Sequence, residues 1–209
     1  KIMKNKLKVS VLGATGLVGQ TYIKLLQSHP WFELVDLASS KRSAGKVFSE
    51  AINQEWLLSD CKTEKIKNIQ VRDASEIDKM DRNVDLVFSA IDYPNKRKTK
   101  KLEFDYAKAG FPLISNNSVN RWTEDVPMII PEINYEHTEL ISIQKSNRGF
   151  NKGFVVTKPG MEAFPPMLIN GLRWSLSGLI LVWFFPIPKK YLFNIFMISI
   201  VSCTIQYSL

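Results

Sequence analysis

Three glycines at three-residue spacing, Gly13, Gly16 and Gly19, stand at the seam between the strand-like hexapeptide Leu7 to Leu12 and a stretch of helical periodicity, Leu17 to Gln27. In that stretch Val18, Tyr22, Leu25 and Leu26 fall near one face. A strand that turns this tightly into a helix has few folds open to it. Gly13 permits the turn out of the strand, Gly16 leaves room for a pyrophosphate to approach the backbone, and Gly19 lets the helix pack closely on the sheet. The helix start offers unpaired N–H groups and a partial positive charge to an anion. Gly13, Thr15, Gly16, Leu17, Val18 and Gly19 are therefore expected to bind a dinucleotide, the alternative being an uncommitted glycine turn.

The rest of the chain alternates in the same manner. Leu34 to Ala38, Val84 to Phe88, Pro112 to Ser115 and Gly153 to Thr157 read as strands. A helix ends over Leu102 to Ala109, before Gly110, and another covers His137 to Asn147. Buried strands separated by helices imply an α/β fold: a Rossmann-type, doubly wound and mostly parallel sheet over residues 6–157.

The end of the second strand bears on which dinucleotide. An NAD site places Asp or Glu about 20 residues beyond the glycines, on the ribose hydroxyls. Here the chain reads Ala38-Ser39-Ser40-Lys41-Arg42-Ser43, with no carboxylate to repel a 2′-phosphate. Ser39, Ser40, Arg42 and Ser43 supply hydroxyls and a guanidinium able to bind it in two-pronged fashion. NADP is expected over NAD.

Composition excludes more than it selects. The net charge of +8 suits anionic partners, but no zinc finger or RNA-binding motif accompanies it, and a lysine-rich soluble surface is the simpler account. Cys61 and Cys203 form no CxxC pair and no cluster with histidine, so no metal site and no disulfide framework is expected. A reducing cytoplasm is the expected compartment. His29 and His137 are expected at helix edges, and the cluster Lys96, Arg97, Lys98, Lys100 and Lys101 on the exposed face of a helix start, where it opposes the helix dipole.

Several segments together resemble the archaeal and fungal branch of aspartate-semialdehyde dehydrogenase. They are Lys8 to Gly19, His29 to Glu33, Ser39 to Lys46, Asp85 to Ala90, Ala107 to Gly110, Ile114 to Ser118, Glu124 to Pro127, Ile130 to Asn134 and Gln144 to Gly149. The resemblance covers roughly residues 6 to 157. It implies the NADPH-dependent reductive dephosphorylation of L-aspartyl 4-phosphate, on the way to lysine, threonine and methionine. In the family a cysteine thiolate attacks the acyl phosphate, phosphate leaves, and hydride reduces the thioester. The resemblance further implies a homo-oligomer, cofactor contacts at Ser89 and Ala90, and Arg121 as the residue that holds the substrate phosphate. A related acyl-CoA or acyl-phosphate reductase, or a nucleotide-binding module without catalysis, are the other readings.

The resemblance stops inside a motif. Where the family has Asn-Pro-Asn-Cys-Ser-Thr, this chain reads Lys158-Pro159-Gly160-Met161-Glu162-Ala163, and Met161 takes the place of the nucleophile. A thioether has no proton to lose and forms no thiolate. Nothing after it resembles the family's catalytic half, so no catalytic residue is assigned, and residues 158–209 read as a divergent apolar tail in place of a full second domain. From Trp174 onward the charged residues are Lys189 and Lys190 alone. Three origins compete: a frame or gene-boundary change, a membrane anchor through Tyr191 to Leu209, whose length is close to the ~20 residues that span a bilayer, and a segment folded back as core.

Overall fold

The computed structural model describes residues 6–52 and 64–158. The expectations placed on Cys61, Met161, Cys203 and everything after Lys158 lie outside these residues. Six strands form one parallel sheet: β1 (Leu7–Leu12), β2 (Phe32–Ser39), β3 (Val71–Asp73), β4 (Leu86–Ser89), β5 (Pro112–Ser115) and β6 (Phe154–Thr157). Their spatial order is β3-β2-β1-β4-β5-β6, the Rossmann order. The chain reverses direction across the sheet between β1 and β4, and the carboxyl ends of these two strands frame the crevice where ligands of open α/β sheets bind.

The longer helices are α1 (Leu17–Leu26), α4 (Lys96–Lys108) and α6 (Leu140–Arg148), with single turns α2 (Phe48–Ala51), α3 (Glu64–Lys67) and α5 (Pro131–Asn134). Successive strand residues feed opposite cores, as a sheet covered on both faces requires. Val9, Val11, Leu37 and Phe88 pack with Ile23 and Leu26 of α1, whereas Leu12, Ala38, Val87 and Leu113 pack with Leu102, Tyr106 and Ala107 of α4.

Several local expectations shift. In α1 the buried positions are Gly19, Gln20, Ile23 and Leu26, while Val18 and Leu25 are 40% and 65% exposed. Gly19 has to face the glycine loop, and that contact rotates the helix away from the face suggested by Val18 and Leu25. Tyr22 is half-buried and stacks on Phe88 at 5.3 Å between centroids. Val84 is buried but precedes the ladder, which starts at Leu86. The helix expected from His137 begins as a 3-10 turn over Tyr135–Glu139 and becomes α-helical at Leu140. His29 follows α1 and stacks on Phe32, and His137 lies in that 3-10 turn beside Asn134.

The lysine cluster is not a uniformly exposed face. Asn95 caps α4 by accepting from the Arg97 N–H at 3.0 Å, and Asp92 meets Lys96 Nζ at 2.6 Å. Asp92 thus brings to the helix start the negative charge that the lysines lack. Lys100 turns toward Thr123 Oγ1, 2.8 Å away.

Polar side chains tie the layers together. Asp36 on β2 accepts from Ser10 Oγ at 2.6 Å and from Arg72 at 3.0 Å, and Arg72 also donates to Tyr106 Oη at 3.1 Å. Burial pushes the Tyr106 hydroxyl up to about 12, which leaves it a donor to Ala74 O at 2.8 Å. The outer edge of β6 is occupied. The buried Gln144 accepts from Val155 N and donates to Val155 O, while Thr157 N donates to Pro127 O and Thr157 O accepts from Ile129 N. At the opposite edge, Val71 of β3 exchanges hydrogen bonds with Gly45 and Lys46, each at 2.8 Å.

Arg148 clamps Asp125 with two hydrogen bonds, one of them 2.6 Å, and lies 3.9 Å over the Phe104 ring. The hydrogen bonds from Arg148 hold the Asp125 carboxyl below its ordinary value. A depressed folded value means that the pair stabilises the fold above the unfolded carboxylate range and ceases to do so as pH falls through the folded value. Asp125→Asn is expected to cost about 1–3 kcal/mol at neutral pH, the range for stripping a partner from a largely buried group. Urea unfolding at neutral and acid pH should show the variant weaker at neutral pH and the difference shrinking in acid.

Candidate functional site

The site begins where β1 ends. Gly13 N and Ala14 N both donate to Ala38 O on β2, at 2.8 and 3.1 Å, and Leu12 O accepts from Ala90 N at 2.8 Å. The loop is thereby pinned to the ends of both flanking strands. Gly13 sits at φ +78°, and a Cβ there would lie 2.7 Å from the Ala90 backbone. A Cβ on Gly19 would lie 2.1 Å from Gly13 O, so the first turn of α1 rests directly on the loop. Gly16 has only Gly13 O near its missing Cβ, at 3.5 Å, so its other side is open.

The loop's polar groups are arranged toward an anion. Gly16 N donates inward to Gly13 O at 3.1 Å, and the buried Gln20 amide holds Thr15 O at 3.1 Å. The N–H groups of Leu17 and Val18, the first of α1, find no acceptor among the described residues. This is the donor set that a helix start presents to a phosphate.

Thr15 Oγ1 and Ser39 Oγ are 2.7 Å apart, which joins the glycine loop to the end of β2. Ser39 and Ser43 are buried, Ser40 is half-buried and Arg42 is exposed. Ser43 N donates to Ser40 O at 2.9 Å, closing the turn that carries Arg42. The bonds of Gly45 and Lys46 to Val71 hold the far side of that turn. Arg42 makes no ion pair or hydrogen bond among the described residues. Asp36, three residues before the end of β2, is engaged by Ser10 and Arg72, and Asp73, in register with Ser39, accepts from Ser75 N and Ser75 Oγ.

On the other flank, Ser89 ends β4, and its carbonyl accepts from Asn116 N at 2.9 Å. Arg121 is half-buried on the segment that follows β5, with Nη2 3.4 Å from Asn116 O. The structure thus places the glycine loop, Ser39, Ser89 and Ala90 at one end of the sheet, with Ser40, Arg42 and Ser43 on the turn leaving β2. Arg121 is linked to the β4 end through Asn116.

The sequence reading missed the group beneath this end of the sheet. Glu103 of α4 is fully buried. Its Oε1 accepts from Ser89 Oγ at 2.9 Å and Ser115 Oγ at 2.6 Å, and its Oε2 accepts from Asn120 Nδ2 at 2.7 Å. Burial raises its pKa, and the bonds from Ser115, Ser89 and Asn120 oppose that rise. The available signal was a carboxylate on a stripe that includes Thr99, Leu102 and Tyr106, all buried. Among the described residues no cluster of His, Cys, Asp or Glu is grouped to hold a metal, and no helix is long and apolar enough to cross a membrane.

Comparison with known proteins agrees with this geometry. Residues 8–141 match the family described as semialdehyde dehydrogenase, NAD binding domain. Aspartate-semialdehyde dehydrogenase of Archaeoglobus fulgidus is 41% identical over 173 residues, covering 79% of this chain and 47% of that protein. A malonyl CoA reductase (NADP) of Metallosphaera sedula is 37% identical over 157 residues, covering 75% of this chain and 42% of that protein. The crystal structure of the Candida albicans aspartate semialdehyde dehydrogenase with NADP superposes with a TM-score of 0.62 at 32% identity, covering 73% of this chain and 42% of that one. The chain thus spans less than half the length of these relatives. With the glycine loop, the strand order and the match over residues 8–141 in agreement, the chain belongs to the semialdehyde dehydrogenase family and carries its NAD-binding domain.

Proposed function

We propose that residues 6–157 form the NADP-binding portion of an aspartate-semialdehyde dehydrogenase-like oxidoreductase, and that residues 158–209 are a separate, divergent segment. The observation that carries this reading is the pairing of two features at one end of the sheet. One is a glycine loop with no room for side chains at Gly13 and Gly19, and the other is a turn after β2, residues 40–43, that carries Arg42 and neither Asp nor Glu.

In this reading the loop of Gly13, Thr15, Gly16, Leu17, Val18 and Gly19 holds the pyrophosphate, with the Leu17 and Val18 N–H groups donating and the glycines leaving room for it to approach. Ser39, Ser40, Arg42 and Ser43 hold the 2′-phosphate. Ser89 and Ala90 contact the cofactor where β4 ends, and Arg121 holds the phosphate of a small acyl-phosphate substrate. The bound cofactor supplies hydride to a carbonyl carbon. The chain's own residues bind and orient, because a backbone cradle and a guanidinium offer charge complementarity and no nucleophile.

The likeness to an enzyme named malonyl CoA reductase (NADP) supports a second substrate class on the same cofactor domain, an acyl-CoA thioester. Met161 bears on both classes, since each needs a thiolate to carry the acyl group and methionine supplies none. We therefore read this chain as a cofactor-binding module without the reductive dephosphorylation of L-aspartyl 4-phosphate.

Two outcomes follow. Fluorescence titration is expected to show NADPH binding more tightly than NADH, and Arg42→Ala to remove the preference at a cost of about 1.5–3 kcal/mol, the range for a hydrogen bond to a charged group. Equal affinities in the unaltered chain would remove the argument from the turn. Purified chain supplied with aspartate semialdehyde, phosphate and NADP is expected to produce no NADPH. Turnover that survives Met161→Ala and is abolished by Cys61→Ser would reveal a nucleophile elsewhere and overturn the reading.

A further inference from the structure

We propose that Glu103 is a positioning residue that fixes the segment Asn116–Thr123, and with it Arg121, against the carboxyl ends of β4 and β5. The inference rests on Arg121 being the phosphate anchor of the proposed function and adds what sets its place.

Three separate pieces of chain meet on one carboxylate. Ser89 ends β4, Ser115 ends β5, and Asn120 immediately precedes Arg121. All three residues and Glu103 are fully buried, so water does not compete for these bonds. Ser115 Oγ also accepts from Asn117 N at 3.0 Å, which extends the tie to the start of the segment. The Asn120 side chain has its amide on Glu103, while its Oδ1 meets no partner, so among the described residues Glu103 alone orients it. The Asn120 carbonyl accepts from Thr123 N at 3.1 Å and closes the turn that presents Arg121.

A carboxylate in a core is costly to bury, and a serine pair could be satisfied by a neutral partner. What a glutamate adds is two oxygens at the end of a long arm, reaching two strand ends with one and the Arg121 turn with the other. Leucine at 103 keeps the volume and loses every acceptor. Glutamine keeps the reach and one carbonyl for both serines, and its amide can face Asn120 once that side chain turns its Oδ1 inward.

The test uses the full chain with Glu103→Leu, Glu103→Gln, Asn120→Ala and Arg121→Ala. Hydrogen–deuterium exchange is read on peptides covering Asn116–Thr123 and, as a reference, on β1 and β2. Inorganic phosphate affinity is read by calorimetry. Glu103→Leu and Asn120→Ala are expected to speed exchange in Asn116–Thr123 by about tenfold or more, the equivalent of one lost buried hydrogen bond, with β1 and β2 unchanged, and to weaken phosphate in parallel. Glu103→Gln is expected to restore most of both.

Exchange in Asn116–Thr123 that is unaltered in Asn120→Ala overturns the proposal, including where Glu103→Leu fails to fold. Equal loss in Glu103→Gln and Glu103→Leu also overturns it, because charge and not reach would then be the requirement. Phosphate affinity unaffected by Arg121→Ala, or absent from the unaltered chain, would sink the anchor reading instead. The exchange data still decide the role of Glu103 in that case.

Discussion

The contact between α1 and the glycine loop sets the remaining geometry of the ligand end. The loop and the first turn of the helix approach so closely that a Cβ at Gly19 would sit 2.1 Å from Gly13 O. That approach aims the first N–H groups of α1 over the end of β1 and turns Ile23 and Leu26 into the core. Gly13 in turn abuts the Ala90 backbone, which fixes how near β4 comes to the loop. One steric requirement therefore places the helix dipole, the crevice between β1 and β4, and the orientation of a core helix.

The parts of the fold that follow from neighbouring residues are visible in the sequence. The bounds of β1 and β5 and the glycine turn need only local pattern, since hydrophobic runs bordered by glycine and polar residues carry it. β3 is not visible, because it has three residues and two of them are Arg72 and Asp73. It exists through pairing of Val71 with Leu37, and its arginine is soaked up by Asp36 and Tyr106. The buried face of α1 departs from its hydrophobic pattern for a related reason. Periodicity ranks positions by hydrophobicity, whereas close packing placed a glycine and a glutamine on the inner side.

The candidate site divides in the same way. Its glycines and serines lie in short, contiguous motifs. The bond between Thr15 and Ser39 spans 24 residues, and the bonds of Glu103 to Ser89, Ser115 and Asn120 span 14, 12 and 17. No local rule joins such positions until the strands are laid side by side. Charged residues inside a helix's apolar stripe are the nearest thing to a warning, and they mark places where the fold is held by directed bonds and not by area alone.

The sealing of the sheet margins bears on how copies of this chain can meet. An edge strand with free N–H and C=O groups invites another strand to extend the sheet, the route to runaway assembly. Here Gln144 and the Pro127–Ile129 segment take up the outward groups of Val155 and Thr157, and Gly45 and Lys46 take up those of Val71. Backbone templating is closed at those positions on both margins. At those positions association has to be read by side chains, whose shapes and charges select a partner, and not by the sequence-blind ladder of the peptide bond.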